Sequence, residues 1–371
     1  MIARRSFIFG GLTALAIVPA YFGFAGSGAW TAAKRRVFNT KCAADCFNLD
    51  WSQFGYDKYY DSLFDLSRSG GFSAVATGPV IRPEIREAFG GDHLHDAVED
   101  SLQSLSTDST EGFTLHQLRF NLDCGVPVMG CAAIPRAAPR GMVLLGHGMA
   151  TTPARCFNVT SPDYMDAIGA RLCAAGFAVW CPFLPQSGNQ PSQDNLAGML
   201  ALTGISYHNV ACSALNLGPW VFRQMKVPEL RVVRYGMSWG SVIAGNLEAA
   251  TGARTPSVLS GYLRDEGQLV RSGWVESRAS QPFLTYLHQL PNAANYFFPN
   301  LAKWVRPCPL YFEVGDHDGL SNNTFGRDEA FAKIQSAYRE VNAADAVTLR
   351  VFPGGHEAAG MEAIDWLSAQ L

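Results

Sequence analysis

The sequence predicts an α/β protein with a mostly parallel central sheet and helices on both faces, and three observations carry that prediction. Between residues 114 and 371, short apolar strand patterns alternate with helical patterns. The 36 Gly and 20 Pro among 371 residues give the density of turns that such alternation needs. A composition of 48% hydrophobic against 16% charged residues describes a chain able to bury a large core.

Leu115 to Leu122 alternates with period two, Val128 to Ile134 follows a Gly-Val-Pro turn, and Met142 to Leu145 is short and fully apolar, so three strands open the domain. A helical pattern from Pro162 to Ala175 leads to a buried strand at Phe177 to Trp180 and a helical stretch from Asn209 to Met225. Leu230 to Tyr235 reads as a strand, Trp239 to Ala250 as a helix, and Ser257 to Leu263 and Leu310 to Val314 as strands. Asp328 to Val341 reads as a helix, Val347 to Phe352 as the last strand, and the chain ends in a helix. Strands and helices in alternation form a parallel sheet covered on both sides. No fixed-period repeat runs through the chain.

Three segments stand outside this pattern. Residues 1–29 have the layout of an export signal: Arg4 and Arg5 precede an uncharged run from Ser6 to Ala33, with Ser27 and Ala29 at the spacing a signal peptidase reads. The order Arg4-Arg5-Ser6-Phe7-Ile8 resembles the twin-arginine motif. A cleaved signal places the protein in the periplasm or medium; a retained segment is long enough to anchor it in a membrane. Residues 30–113, with amphipathic pieces such as Phe54 to Leu66, are expected to form a helical N-terminal extension to a domain spanning 114–371. Residues 264–308 carry Trp274, Phe283, Tyr286, Tyr296, Phe297, Phe298 and Trp304 where a short connection would do. They read as a lid over a ligand site or as a connection whose aromatics pack on the sheet.

Charge and cysteine usage narrow the partners. Lys plus Arg is 29 against 32 Asp plus Glu, a net charge of −3, so the basic footprint that nucleic acid requires is missing. Nine cysteines leave at least one without an internal partner. An oxidising compartment permits a Cys42–Cys46 or a Cys124–Cys131 disulfide, whereas Cys156, Cys173, Cys181, Cys212 and Cys308 lie in apolar patterns and read as buried thiols. No Cys/His spacing fits zinc, and His93 and His95 are expected at the surface. His208 and His288 have no supporting motif and read as satisfied or surface histidines.

The chemistry gathers at strand ends. Gly236-Met237-Ser238-Trp239-Gly240 joins an apolar strand to an apolar-periodic helix, the context in which a Gly-x-Ser-x-Gly turn exposes a serine hydroxyl at a helix N-terminus. A serine hydroxyl is a poor nucleophile until a base takes its proton and an acid orients that base. Both follow in order: one strand ends in Gly315-Asp316-His317-Asp318-Gly319 and the last in Pro353-Gly354-Gly355-His356. Asp316 and Asp318 are both candidate acids, Asp318 at the position implied by the resemblance of this region to α/β-hydrolases, and His317 between them is expected to be exposed.

With the elbow and the order Ser238, Asp318, His356, residues 114–371 resemble the α/β-hydrolase superfamily. Within it the chain is most similar to the dienelactone hydrolase, acetyl xylan esterase and prolyl-oligopeptidase-like branch. The segment Leu145-Gly146-His147-Gly148-Met149 resembles the family's His-Gly oxyanion loop. The resemblance implies that the backbone N–H groups of Met149 and Trp239 hold the oxyanion and that His147 shapes the loop. The chain departs from the family in having Ser241 where a further glycine is common, and in its long N-terminal extension. The implied function is an exported serine hydrolase acting on a small-molecule carboxylic ester through an acyl-enzyme, with no metal or organic cofactor. Alternatives are a peptidase, thioesterase or acyltransferase with the same triad, or a non-catalytic binding or anchored protein on this scaffold.

Overall fold

The computed structural model describes residue 66 and residues 71–73, 75–149, 151–159, 163–184, 200, 204–265 and 296–371. The signal segment, Cys42, Cys46, His288 and the greater part of the aromatic insertion lie outside the described residues. A short helix α1 (Arg86–Phe89) precedes strands β1 (Gln103–Ser109), β2 (Phe113–Asn121), β3 (Pro127–Pro135) and β4 (Gly141–Gly146). Helices α2 (Pro153–Cys156) and α3 (Ile168–Ala174) lead to β5 (Phe177–Pro182), then α4 (Tyr207–Asn216), α5 (Gly218–Gln224) and β6 (Val232–Met237). The chain continues through α6 (Trp239–Thr251), β7 (Ser257–Ser260), α7 (Ala302–Val305), β8 (Leu310–Gly315), α8 (Arg327–Arg339), β9 (Val347–Phe352) and α9 (Met361–Ala369).

The nine strands form one sheet in the order β1-β2-β3-β5-β4-β6-β7-β8-β9. The pairings β1–β2, β2–β3 and β3–β5 are antiparallel, and those from β5 through β4 to β9 are parallel. Burial explains the sequence pattern of each strand. β4, β5, β7 and β8 are buried at every position, so they read as continuous runs rather than alternations. One cluster, including Phe120, Trp180, Trp239 and Phe312, fills one face. Another, including Leu172, Val179, Tyr235 and Tyr311, fills the other. The adjacent residues Tyr311 and Phe312 on β8 thus serve opposite sides.

Several expectations are corrected. The sheet begins one strand early: β1 lies in the stretch expected to be helical, and only its fourth residue, Ser106, is partly buried. A polar edge strand covered on neither face has no apolar alternation to read. The helix expected from Pro162 to Ala175 starts only at Ile168, because Asp166 and Ala167 adopt φ of 47° and 52°. The stretch from Asn209 to Met225 divides into α4 and α5 at Leu217, with Pro219 in the first turn of the second helix.

No Cys124–Cys131 disulfide forms, since Cys124 belongs to the cluster on one face of the sheet and Cys131 to the other. The seven described cysteines are all free and buried. His95 is not at the surface: it is 3% exposed and its Nδ1 lies 2.7 Å from Asp123 Oδ1.

Two buried polar pairs brace the strands that carry the site. Arg234 on β6 meets Glu248 on α6 at 2.5 Å, and Glu248 also accepts the backbone N–H groups of Arg254 and Thr255. Removing one partner would strand a buried charge at a cost of about 3–5 kcal/mol. On the other face the Tyr235 hydroxyl donates to Glu313 of β8.

Candidate active site

All the loops singled out in the sequence leave the carboxyl ends of parallel strands, where open α/β sheets place their sites. His147 follows β4, Ser238 follows β6, Asp318 lies just beyond β8 and His356 just beyond β9. Registers Gly146↔Gly236 and Gly315↔Phe352 set the two pairs of loops side by side.

Ser238 occupies a sharp turn with φ 55° and ψ −116°, a conformation that L-residues rarely adopt and that costs about 1–3 kcal/mol. The turn is held in place by Ser238 N–H donating to the Ser260 carbonyl at 2.7 Å. It docks backbone to backbone on β4: a β-carbon at Gly240 would lie 2.0 Å from the Gly146 carbonyl oxygen, so no side chain fits there. Ser241, where the family more often has glycine, is buried, with Oγ 2.8 Å from both the Gly236 and the Ser260 carbonyl oxygens. Its hydroxyl ties the elbow strand to β7.

His356 and Asp318 come together: Nδ1 lies 2.9 Å from Oδ2, with both side chains buried. The other Asp318 oxygen accepts the Leu320 N–H at 2.8 Å, which fixes the carboxylate. This pairing orients the imidazole and leaves Nε2 as its second ring nitrogen. Asp316 takes no part; it pairs with the exposed His317 and accepts the Gly354 N–H, which holds its carboxyl below the usual range. A β-carbon at Gly261 would lie 2.6 Å from Met237 Cε and 3.3 Å from His356 Cε1, so the imidazole stands beside the strand end that carries Ser238. Among the described residues Ser238 Oγ makes no hydrogen bond to His356.

The oxyanion-loop candidates sit across the elbow. His147 is buried, its Nε2 accepts the Leu184 N–H at 2.9 Å, and Nδ1 therefore carries the proton donated to the Gly148 carbonyl at 2.8 Å. Both ring nitrogens are engaged in shaping the loop. Met149, partly buried, follows Gly148, and Trp239 is the first residue of α6. Helix N-termini present N–H groups to developing negative charge.

Sequence reasoning missed several residues that support these loops. Tyr164 donates its hydroxyl to the Met149 carbonyl, and Thr151 donates to the buried carboxyl of Asp163, which burial raises. Tyr164 and Asp163 do not stand out in sequence, because both lie in a stretch that reads as helix. Glu313, raised by burial, accepts the Gly360 N–H at 3.4 Å beyond the His356 loop. Its signal was legible: a lone acid in the otherwise apolar strand LYFEVG.

His208 also departs from expectation. It is 1% exposed, packed among the rings of Phe89, Tyr207, Trp239 and Tyr296, and neither ring nitrogen has a hydrogen-bond partner among the described residues. Burial pushes His147 and His208 down to about 4 from 6.5. Over that range the unfolded chain binds more protons than the folded one, so the stability these neutral rings contribute is complete above 6.5 and is lost as pH falls toward 4. The raised carboxyls of Asp163 and Glu313 act with the opposite sign, so the informative comparison is between variants. Between about pH 7 and 4.5 the melting midpoint of His208→Phe is expected to fall less than that of the wild type. Equal falls would contradict the assignment.

Among the described residues, one group could hold a metal: His95, Asp123 and Cys124, with donor atoms within 4.8 Å of one another. Their donors are already engaged. Asp123 accepts from Thr77 N–H and Oγ1, the Asp96 N–H and His95, while burial pushes the Cys124 thiol up to about 12. The cluster is a hydrogen-bonded hub that fastens residues 77–96 to the β2–β3 turn.

No protein-family model and no curated protein matches this sequence. Solved structures do. A candidate acetyl xylan esterase from Bacteroides fragilis is 15% identical and superposes over 87% of this chain and 90% of its own, with a TM-score of 0.53. A cold-adapted esterase from an Arctic intertidal metagenomic library is 18% identical over 72% of this chain and 98% of its own, with a TM-score of 0.48. Acetyl xylan esterase 1 from a Thermoanaerobacterium species is 18% identical over 85% and 92%, with a TM-score of 0.45. With the first superposition and the strand order above, the chain has the α/β-hydrolase fold. No described helix is long and apolar enough to cross a membrane.

Proposed function

We propose that this protein is an exported serine hydrolase that cleaves a small-molecule carboxylic ester. The observation that carries the reading is the buried Asp318–His356 pair, 2.9 Å apart, beside a strained elbow serine. In this reading His356 Nε2 takes the Ser238 proton as Oγ bonds to the acyl carbon. Asp318 stabilises the resulting imidazolium, and the Met149 and Trp239 N–H groups receive the oxyanion. His356 then returns the proton to the departing alkoxide, leaving an acyl-enzyme. Water, deprotonated by the same histidine, releases the acid and restores Ser238.

The name borne by the Bacteroides fragilis protein supports an ester over an amide. Export rests on Arg4, Arg5 and the uncharged run after them, with a membrane anchor as the alternative if that run is retained. Intact-mass spectrometry after exposure to a fluorophosphonate tests the nucleophile and base together. One adduct on Ser238 is expected in the wild type and none in a folded His356→Ala variant. A folded wild type that takes up no probe would favour a binding protein on this scaffold. Matched ester, thioester and amide substrates then separate the esterase from its alternatives.

A further inference from the structure

Tyr164 touches both halves of the candidate site. Its hydroxyl donates to the carbonyl of Met149 on the oxyanion loop. Its own carbonyl accepts the N–H of Ala358, two residues beyond His356, at 2.9 Å. Its ring lies 5.7 Å, centroid to centroid, from the His356 imidazole at an interplanar angle of 35°. A β-carbon at Gly148 would lie 2.2 Å from the phenol oxygen, so the loop is shaped to admit this hydroxyl. The adjacent Asp163 reinforces the grip from below: its carboxyl takes the Thr151 hydroxyl and the Met165 N–H, the latter at 2.8 Å.

We propose that Tyr164 is a positioning residue that holds the oxyanion loop and the base loop in one fixed relation. The inference rests on the hydrolase reading above. The β4 and β9 loops leave strands that are not neighbours in the sheet, so strand register alone does not set the distance between them. The bond to Met149 fixes the peptide that follows its N–H, and the Ala358 contact fixes the backbone behind the imidazole. A hydroxyl on a packed ring does this with little freedom to lose, because Tyr164 is 6% exposed. The benefit falls in the transition state, where the oxyanion donors and the protonated base act together.

The test uses the full chain with p-nitrophenyl acetate and the fluorophosphonate probe. Tyr164→Phe keeps the ring and removes one hydrogen bond. The expected result is a kcat about tenfold lower with KM within about twofold, and a matching fall in the labelling rate of Ser238. Gly148→Ala, which drives a methyl group toward the phenol oxygen, is expected to lower kcat as well, and the double variant to lose less than the two single losses combined. Thermal melting of each variant establishes that the non-additivity is read between folded proteins. Tyr164→Phe with wild-type kcat and labelling overturns the proposal, as does a loss confined to KM and melting temperature. If the wild type itself neither turns over the ester nor labels at Ser238, the hydrolase reading fails instead.

Discussion

Ser238→Ala is expected to lower ester turnover by about a millionfold while leaving the melting temperature almost unchanged. The size follows from the proposed mechanism, in which base and acid would have nothing to activate once the hydroxyl is gone, and only binding and the oxyanion donors would remain. The fold should tolerate the change, because the bonds that hold the elbow come from backbone. Ser238 N–H donates to the Ser260 carbonyl, and Ser238 O accepts the Ser241 N–H. Steady-state kinetics on p-nitrophenyl acetate, paired with thermal melting, check both halves. Undiminished turnover in a folded variant would remove Ser238 from the mechanism.

Asp318→Asn carries the next largest effect, about ten-thousandfold in kcat, with KM near that of the wild type. The carboxylate accepts from the His356 Nδ1 side and from the Leu320 N–H, so a buried acceptor-only group defines which ring nitrogen bears the proton. An amide can turn its NH2 toward Nδ1 and stabilise the tautomer with the proton on Nε2, which cannot accept from serine. The comparison variant Asp316→Asn should lose little, since that side chain is partly exposed and pairs with His317. Equal losses in the two variants would show that the choice between the acids is wrong.

The strands and the chemistry were legible in the sequence to different depths. β4, β5 and β8 announced themselves as short apolar runs because both of their faces are buried, and the elbow was legible because a Gly-x-Ser-x-Gly turn has few other uses between strand and helix. Of the two candidate acids, Asp318 is the one that meets His356. β1 escaped because a polar edge strand follows partner geometry rather than hydrophobic period. His95 escaped because its burial depends on Asp123, far away in sequence, and Tyr164 because its meaning lies in contacts to residues 149 and 358. Local pattern carries the scaffold and its motifs; long-range polar contacts are written only in three dimensions.

The meeting of Gly146 with Gly240 sets how far this sequence can drift. Where two backbones touch with no side chain between them, the spacing from the β4 loop to the Ser238 turn does not depend on the size of any neighbouring residue. A scaffold gauged in this way can depart so far in sequence that it is only 15% identical to a structure it superposes on over 87% of its length. Side chains elsewhere around the turn can change in size without altering that backbone spacing.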